Sequence, residues 1–274
     1  MSGPGSVAGM AAIPQPLWMI GCGNMGGAML RGWIAAGLDP AAVTVGTRSG
    51  QGAPAGVRSL TALPDGERPA TLVLAVKPQQ LDIVAPALSG LSPAVLVSIL
   101  AGVEEAALAG RIPSAAIVRA MPNLPVAIGR GVTALHTSST DSAVHALAEA
   151  LATPLGLVEW IADAADYDAV TALAGCGPGF VFRFAEALAE AGAALGLPAD
   201  QALRLARATL AGAADMLAAS DETPATLADR VASPGGSTRE GLNVLDRDDA
   251  LKRLLRATLA ASAERNAAMA AAAR

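Results

Sequence analysis

Two patterns of apolar and polar positions divide this chain. In its first part, short continuous apolar runs alternate with longer segments of helical period, which is typical of buried parallel strands joined by helices. The pattern predicts strands at 17–20, 43–47, 71–76, 95–100, 116–120, 132–136 and 157–160, and helices at 25–36 and near 141–152. From residue 163 onward only helical periodicity follows. We therefore predict an α/β domain over 17–162 and an all-α domain over 163–274.

Composition fits a protein with large buried cores. The chain has 274 residues, of which 53% are hydrophobic and 16% are charged. Much of the apolar content is alanine and only 3% of the residues are aromatic, which favours close packing between helices. A helical domain of this kind gains little from burial alone, so we expect it to pair with a second copy as a homo-oligomer. Residues 1–16 are rich in Gly, Ala, Pro and Ser, which predicts a disordered tail and not a signal peptide.

Charge and cysteine content exclude several classes of protein. The net charge of −5 and the absence of a run of Lys or Arg argue against a nucleic-acid partner. Residues 83–103 carry no charge, but two prolines and a glycine divide them into a helix end, a turn and a strand, so we reject a membrane span. Two cysteines and two histidines lack the spacing of a metal site, so no metal is expected. A disulfide stays open, nothing argues for secretion, and a cytoplasmic location is expected.

A glycine-rich turn follows the first predicted strand and opens the first helix. Gly21, Gly23 and Gly26 form the Gly-x-Gly-x-x-Gly pattern of a Rossmann dinucleotide-binding domain. Gly21 permits the tight turn, Gly23 lets a pyrophosphate approach the backbone, and Gly26 lets helix and strand pack closely. The cofactor-binding turn is predicted to include the residues between these glycines as well: Cys22, Asn24 and Met25.

The end of the second predicted strand indicates which dinucleotide binds. NAD-preferring domains place an acidic residue there to hold the ribose hydroxyls, whereas this chain has Thr47, Arg48 and Ser49. A guanidinium and two hydroxyls suit a 2′-phosphate, so we predict NADP(H) as the preferred cofactor, with NAD(H) left open. The alternative is that Arg48 is simply a solvated loop residue.

Later strands end at the same edge of the predicted sheet, where such folds bind ligands. Further cofactor contacts are therefore predicted at the ends of three strands: Val76, Lys77 and Pro78, then Ala101, then Asn123. Asn123 lies in a loop made stiff by two prolines. Lys77 either contacts the cofactor or is solvated at a strand end, and both readings stay open.

The segment Ser233-Pro-Gly-Gly-Ser-Thr238, here called the 233–238 turn, is the least generic of the helical domain. We predict that Ser237 caps a helix and that Glu240 completes a capping box. Backbone N–H groups, the helix dipole and the hydroxyls of Ser233, Ser237 and Thr238 would then form a site for a small anion, a carboxylate or a phosphate. The alternative is a well-capped connection between two helices.

Five segments, taken in order, resemble the pyrroline-5-carboxylate reductase family. They are residues 20–26, 75–79, 119–123, 168–178 and 231–238, and the resemblance covers nearly the whole chain from residue 17. It implies a Rossmann domain followed by an all-α dimerisation domain that interlocks two subunits. The implied reaction is the NAD(P)H-dependent reduction of 1-pyrroline-5-carboxylate to L-proline, the last step of proline synthesis. Family members often assemble their dimers into decamers.

The resemblance also assigns roles to residues of the second domain. Similar proteins hold the substrate carboxylate at Ser233, Gly236, Ser237 and Thr238 of this chain, which agrees with the anion site inferred from the residues. No compelling general acid is evident. The imine nitrogen is expected to receive its proton before or during hydride transfer, and the candidates are Thr171, Thr238 and water.

This chain departs from the family at positions near the expected site. Cys176 stands where Ser is usual, Gly179-Phe180 where Ala-Tyr is usual, and Leu124 where Thr is usual. Ala164 occupies a position that tends to be Glu, and Asp221 or Glu222 are candidates to replace that carboxylate.

Two other functions fit part of the sequence. A β-hydroxyacid dehydrogenase would need a catalytic lysine on a helix of the second domain, but no lysine occurs between Asp163 and Asp248. A reductase of a related cyclic imine and a non-catalytic NADP-binding regulatory protein remain as alternatives to the predicted activity.

Overall fold

The computed structural model describes residue 10 and residues 13–273, and it forms two compact units. The first unit contains the residues up to Cys176 and those from Ser262 onward, and the second contains Gly177–Ala261. This division falls later than the predicted limit at residue 162. The reason is that residues 167–175 are bonded to the first unit, where the Asn123 side chain donates to the Ala174 carbonyl at 2.9 Å. The predicted domain limits, 17–162 and 163–274, therefore stay a prediction and differ from the two compact units of the structure.

A single sheet organises the first unit. Within the described residues it has eight strands in the order β3-β2-β1-β4-β5-β6-β7-β8. In chain order, β1 to β8 are Leu17–Ile20, Val43–Gly46, Arg58–Leu60, Thr71–Leu74, Val95–Ser98, Ala116–Pro122, Gly131–His136 and Gly156–Trp160. Seven of them were predicted. The sequence analysis missed β3 because it is short, begins with an exposed Arg58 and has no continuous apolar run.

One strand pair breaks the parallel pattern. The strands β6 and β7 are antiparallel, with Arg119 opposite His136 and Pro122 opposite Thr133. The segment between them contains only a short 3₁₀ helix, Leu124–Ile128. A parallel connection needs a crossover of a dozen or more residues, so this short link forces the chain to return antiparallel.

Helices cover both faces of the sheet. In the first unit these are α1 Asn24–Ala35, α2 Leu81–Leu88, α3 Glu105–Ala109, α4 Ser142–Ala152 and α5 Tyr167–Val170. Successive strand residues point to opposite faces, so Met19 and Val73 join a core with α1 and α4, while Trp18 and Leu72 join another with α2 and α3. Burial on both faces explains why the strands are continuously apolar.

Most of the predicted disordered tail, residues 1–9, 11 and 12, lies outside the described residues. For residues 13–16 the prediction is wrong, because they pack against the sheet. Ile13 is buried, the Pro14 carbonyl accepts from the Thr71 hydroxyl at 3.0 Å, and the Pro16 carbonyl accepts from the Ala70 N–H at 3.0 Å.

The second unit is helical throughout. Its helices are α6 Gly177–Ala194, α7 Ala199–Ala218, α8 Pro224–Arg230, α9 Ser237–Asp246 and the first part of α10 Ala250–Ala273. The prediction that only helices follow residue 163 is confirmed. Before α6, the chain forms a π-helical segment, Thr171–Gly175. In the part of the chain that the structure describes, no helix combines the length and hydropathy needed to span a bilayer.

Candidate active site

A cleft of about 840 Å³ lies at the ends of strands β1 and β2 in the first unit. One wall is the glycine-rich turn at Gly21–Gly23, and another is the loop Thr47–Ser49. This is the edge at which parallel sheets of this order bind ligands.

The three glycines of the turn have three different surroundings. Gly21 has φ of +93°, and a Cβ there would lie 2.5 Å from the Ala75 carbonyl oxygen. A Cβ on Gly26 would lie 3.0 Å from both the Cβ of Ala75 and the Gly21 carbonyl oxygen. A Cβ on Gly23 would meet no atom of the described residues within 4 Å. A side chain at the first or third glycine would therefore crowd the fold, whereas Gly23 borders space into which a ligand can approach.

The start of α1 can receive an anion. Gly23 is its N-cap residue, no side chain caps it, and its first turn has no acidic residue. The first N–H groups of the helix therefore have no partner from a capping side chain, and the helix dipole favours negative charge beside them. These features fit the pyrophosphate of a dinucleotide.

Cys22 lies inside this turn as a free thiol. Its Sγ donates to the Gly52 carbonyl at 3.4 Å, and burial raises its pKa, against the opposing effect of the Arg31 charge. The thiol is accordingly protonated at neutral pH and is a poor nucleophile. Cys176 is also free, so the two cysteines form no disulfide.

Hydrogen bonds hold the loop after β2. The Thr47 N–H donates to the Leu60 carbonyl at 2.9 Å, and the Ser49 hydroxyl accepts from the Gln51 N–H at 3.3 Å. The Arg48 side chain is exposed and lines the cleft between these two residues. The Thr47 hydroxyl donates to the Gln51 carbonyl at 3.4 Å. All three residues line the cleft, and their role in binding a 2′-phosphate stays a prediction.

The other residues that were predicted to contact the cofactor do not all line the cleft. Val76 lines the cleft, whereas Lys77, Pro78 and Ala101 do not. Both ends of the Asn123 side chain are used within the protein, because its amide donates to Ala174 and its oxygen accepts from the Val132 N–H at 2.8 Å. The roles of these five residues in cofactor binding stay predictions.

The sequence analysis missed the apolar wall of the cleft. This wall comes from the loop after β3 and from α2, and it contains Leu63, Ile83, Val84 and Ala87. Ile83 is 76% exposed, which is unusual for isoleucine on a helix that covers a sheet. An apolar residue on the outer face of α2 was the available signal, and such a wall suits an adenine ring.

The 233–238 turn opens α9 in the second unit. Gly235 has φ of +70°, and the Gly236 N–H donates to the Ser233 carbonyl at 2.9 Å. The predicted cap at Ser237 is wrong, because Gly236 is the N-cap residue and no side chain caps the helix. Since Ser237 already has helical geometry, its hydroxyl and Glu240 do not form the capping box. The first N–H groups of α9 are consequently left without a capping side chain, beside the exposed hydroxyls of Ser233 and Thr238.

Comparisons with known proteins match both parts of the chain. Residues 164–269 match a family described as pyrroline-5-carboxylate reductase dimerisation, and residues 17–102 match one described as NADP oxidoreductase, coenzyme F420-dependent. A pyrroline-5-carboxylate reductase of Glycine max is 34% identical over 90% of this chain and 93% of its own length. One of Pseudomonas aeruginosa is also 34% identical, over 92% of this chain and 95% of its own length. The chain belongs to the pyrroline-5-carboxylate reductase family.

Solved structures agree with this assignment. A pyrroline-5-carboxylate reductase from Coxiella burnetii has a TM-score of 0.81 and 30% identity, covering 93% of this chain and 98% of its own. A pyrroline carboxylate reductase from Plasmodium falciparum, solved with NADP bound, has a TM-score of 0.79 and 28% identity over the same shares. The predicted family and the predicted fold class, a Rossmann domain followed by an all-α dimerisation domain, are confirmed, and the chain is an oxidoreductase.

One departure from the usual pattern of the pyrroline-5-carboxylate reductase family removes a carboxylate, and two acidic residues were candidates to replace it. Ala164 lies in a 3₁₀ turn of the first unit and carries no acid. In the second unit, the Glu222 carboxylate pairs with Arg230 at 2.6 Å through one oxygen, and its other oxygen is buried with no hydrogen-bond partner among the described residues. Glu222 thus retains an acceptor without a partner, while Asp221 is exposed.

Thr171, one of the candidate proton donors, has a hydrogen-bonded hydroxyl in the first unit. It is buried at the start of the π-helical segment, and its hydroxyl donates to the Tyr167 carbonyl at 2.7 Å. Gly175 closes the segment, and a Cβ there would lie 3.4 Å from the Thr171 methyl group. The Thr171 hydroxyl proton is therefore engaged within the protein, and the catalytic role of Thr171 stays a prediction.

Proposed function

We propose that this enzyme reduces 1-pyrroline-5-carboxylate to L-proline, with NADPH preferred to NADH as the hydride donor. The observation that carries the proposal is the uncapped start of α9 at Gly236, beside the exposed hydroxyls of Ser233 and Thr238. An uncapped helix start with a flexible turn before it binds a carboxylate through several N–H groups at once. Membership of the pyrroline-5-carboxylate reductase family supplies the identity of the acid.

The nucleotide cleft of the first unit fits a dinucleotide in size and chemistry. Gly21, Gly23 and the start of α1 receive the pyrophosphate, while the apolar wall receives the adenine. Thr47, Arg48 and Ser49 bind the 2′-phosphate, because a guanidinium and two hydroxyls match its oxygens. The solved relative with NADP bound supports this choice of cofactor.

The 233–238 turn positions the substrate. The N–H groups of Gly236 and Ser237 and the hydroxyls of Ser233 and Thr238 hold the carboxylate, which fixes the orientation of the ring. When bound, the cofactor supplies a hydride to the carbon of the C=N bond. If the nitrogen is protonated beforehand, the electron pair of the C=N bond ends on nitrogen as an ordinary amine lone pair, and no further proton is needed. The protein then acts mainly by orientation, which can contribute a large part of a rate enhancement.

The candidate proton donors are Thr171, Thr238 and water. The Thr171 hydroxyl already donates to Tyr167, so it would have to break that bond to reach a substrate. A proton taken from bulk water by the free imine requires no such change. We therefore rank prior protonation above donation by either threonine.

The proposed assembly is a homodimer built through the helical unit, with a decamer as a further step. Support comes from large apolar side chains on α6 that are exposed in the single chain. The match of residues 164–269 to a dimerisation family points the same way. A cytoplasmic location stays a prediction.

The test follows NADPH absorbance with purified protein and 1-pyrroline-5-carboxylate, with NADH in parallel. We expect loss of NADPH with formation of L-proline, and a slower reaction with NADH. Arg48→Gln should raise KM for NADPH about tenfold or more and leave KM for NADH nearly unchanged, because only NADPH carries the phosphate. Arg58→Gln is the matched control, since Arg58 lies on β3, pairs with Glu67 at 2.7 Å and does not line the cleft.

Two results would change the proposal. Protein that binds NADPH but does not turn over this imine would be a reductase of a related cyclic imine or a non-catalytic NADP-binding protein. If Arg48→Gln raised KM for NADPH and KM for NADH equally, Arg48 would not be the residue that binds the 2′-phosphate.

A further inference from the structure

A second cleft, of about 600 Å³, lies in the first unit and shares no lining residue with the nucleotide cleft. It is bordered by the start of α3, the middle of β6, the end of β7 and the turn before α5. The side chains that bear on its chemistry are Glu104, Glu105, Arg119, His136, Ala164 and Ala165. Neither the cofactor nor the substrate proposed above uses it.

Arg119 is the central feature of this cleft. It is only 6% exposed, and its Nε atom has no hydrogen-bond partner among the described residues. Its guanidinium lies over the ring of Tyr167, with the central carbon 3.8 Å from the ring centroid. A buried guanidinium with an N–H group that lacks an acceptor is costly, and one aromatic face replaces only part of its lost hydration. The planar N–H groups that remain are suited to a carboxylate, which pairs with guanidinium through two parallel hydrogen bonds.

His136 adds a second polar group to the same cleft. It stands opposite Arg119 in the β6–β7 pair, and its Nδ1 lies 2.8 Å from the Ile161 carbonyl oxygen. A carbonyl only accepts, so Nδ1 carries a proton and Nε2 is the ring nitrogen left for other partners.

The acidic residues of the cleft restrict the charge of a ligand. The Glu105 carboxylate accepts from the Ser138 N–H at 3.1 Å and from the Ser138 hydroxyl, so it is fixed at the cleft. With Glu104 also on the lining, a dianion such as phosphate or sulfate would be repelled more strongly than a monoanion. The methyl groups of Ala164 and Ala165 leave space and add no charge.

We propose that this cleft binds a small monocarboxylate through the guanidinium of Arg119. The ligand supplies hydrogen-bond acceptors for the Arg119 guanidinium, and it occupies the space beside Ala164. The inference does not depend on the proposed reaction, because none of its residues belongs to the nucleotide cleft or the 233–238 turn.

The first test measures the melting temperature of the wild-type protein in sodium acetate and in sodium chloride at equal ionic strength. A ligand that binds only the folded state raises this temperature, and we expect acetate to raise it by about 2–4 °C more than chloride. Sodium sulfate at the same ionic strength should give less protection than acetate. Equal effects of acetate and chloride would overturn the site, and equal effects of acetate and sulfate would overturn its preference for a monocarboxylate.

The second test supplies the carboxylate from the chain. Ala164→Glu should raise the melting temperature in chloride and abolish the additional effect of acetate, because the new side chain neutralises Arg119. Ala164→Gln is the matched control of the same size without charge, and it should not be stabilised in this way. Equal melting temperatures for the two variants would contradict the proposal, and if Ala164→Glu does not fold, the wild-type titration still decides.

A third comparison identifies the source of the carboxylate. L-Proline, the product of the proposed reaction, is titrated against wild-type protein and Ala164→Glu. If L-proline raises the melting temperature of Ala164→Glu less than that of the wild-type protein, L-proline binds in this cleft. Protection by L-proline that is unchanged in Ala164→Glu, together with acetate protection that this variant loses, assigns the cleft to other small carboxylates.

Discussion

At the residue scale, removal of the Thr238 hydroxyl should weaken the binding of substrate and leave the binding of cofactor nearly unchanged. Thr238→Ala deletes one hydrogen bond to a charged carboxylate, which contributes about 1.5–3 kcal/mol in such sites. We therefore expect KM for 1-pyrroline-5-carboxylate to rise about tenfold or more, with little change in the Kd of NADPH. Steady-state kinetics and a fluorescence titration with NADPH measure the two quantities.

Thr209→Ala is the control for this change, because Thr209 is an exposed threonine in the middle of α7. It should leave both constants nearly unaltered. Equal losses of imine and NADPH affinity in Thr238→Ala would remove Thr238 from the substrate site.

Tyr167 makes stability depend on pH in the alkaline range. It is the only tyrosine of the chain, and burial raises its pKa, with the Arg119 charge acting in the opposite direction. Above about pH 10 the unfolded chain releases this proton while the native protein keeps it. The free energy of unfolding therefore falls as pH rises, by up to about 1.4 kcal/mol per pH unit from this residue.

Tyr167→Phe should remove that contribution and keep the ring under Arg119. Urea unfolding of both proteins from pH 8 to pH 11 gives the comparison, and ultraviolet absorbance of tyrosinate reports the ionisation directly. Parallel pH profiles for the two proteins would show that the residue titrates normally in the native state.

At the element scale, the β1–α1 turn separates glycines required by the fold from one that serves the ligand. Gly26→Ala places a methyl group 3.0 Å from the Gly21 carbonyl oxygen. Overpacking of this kind usually costs 1–3 kcal/mol, and the gain in helix propensity offsets a part, so we expect a net loss of about 1 kcal/mol. Gly23→Ala meets nothing within 4 Å and should change the free energy of unfolding by less than about 0.5 kcal/mol.

NADPH binding should show a different response at Gly23. The methyl group of Gly23→Ala occupies space that the pyrophosphate approaches, so the Kd of NADPH should increase about tenfold or more although the fold is intact. Unfolding in urea and a binding titration on both variants give the two measurements. A Gly23→Ala protein that binds NADPH normally would contradict the location of the pyrophosphate.

Also at the element scale, the local sequence pattern gave a wrong prediction for the start of α9. The sequence around Ser237 has the residues of a capping box, but the helix begins one residue earlier and Gly236 is its N-cap. A capping motif indicates which side chains are able to cap a helix. The helix start itself depends on the backbone conformation of the preceding turn, where Gly235 has a positive φ. This shift leaves the helix start available for a ligand.

At the scale of the whole molecule, an apolar stripe on α6 predicts the assembly. Val181, Phe184 and Leu188 are exposed large apolar residues at helical spacing on one face, and the exposed Leu195 follows directly after the helix. Leu188→Glu would place a charge in an apolar interface, and we expect the dimer dissociation constant to rise at least tenfold. Light scattering after size exclusion at several protein concentrations measures it.

Arg183→Gln on the same helix is the control, because Arg183 is exposed and already polar. It should leave the dimer intact. A dimer of Leu188→Glu with unchanged affinity would move the interface away from this stripe.

Features that depend on neighbouring residues could be predicted from the sequence. Strands with continuous apolar runs, helices with their period, the Gly21–Gly26 turn and the positive loop at Arg48 were all predictable, because each is recorded within a few adjacent positions. The order of the five motifs was sufficient to indicate the family.

The contacts between distant segments became known from the folded structure. It turned β7 antiparallel to β6, placed Ile83 on the wall of the nucleotide cleft, and stacked Arg119 on Tyr167 beside an uncharged Ala164. These results depend on contacts between residues far apart in the chain. Local periodicity records whether a side chain is buried but not which residue it meets, so the sequence could not supply them.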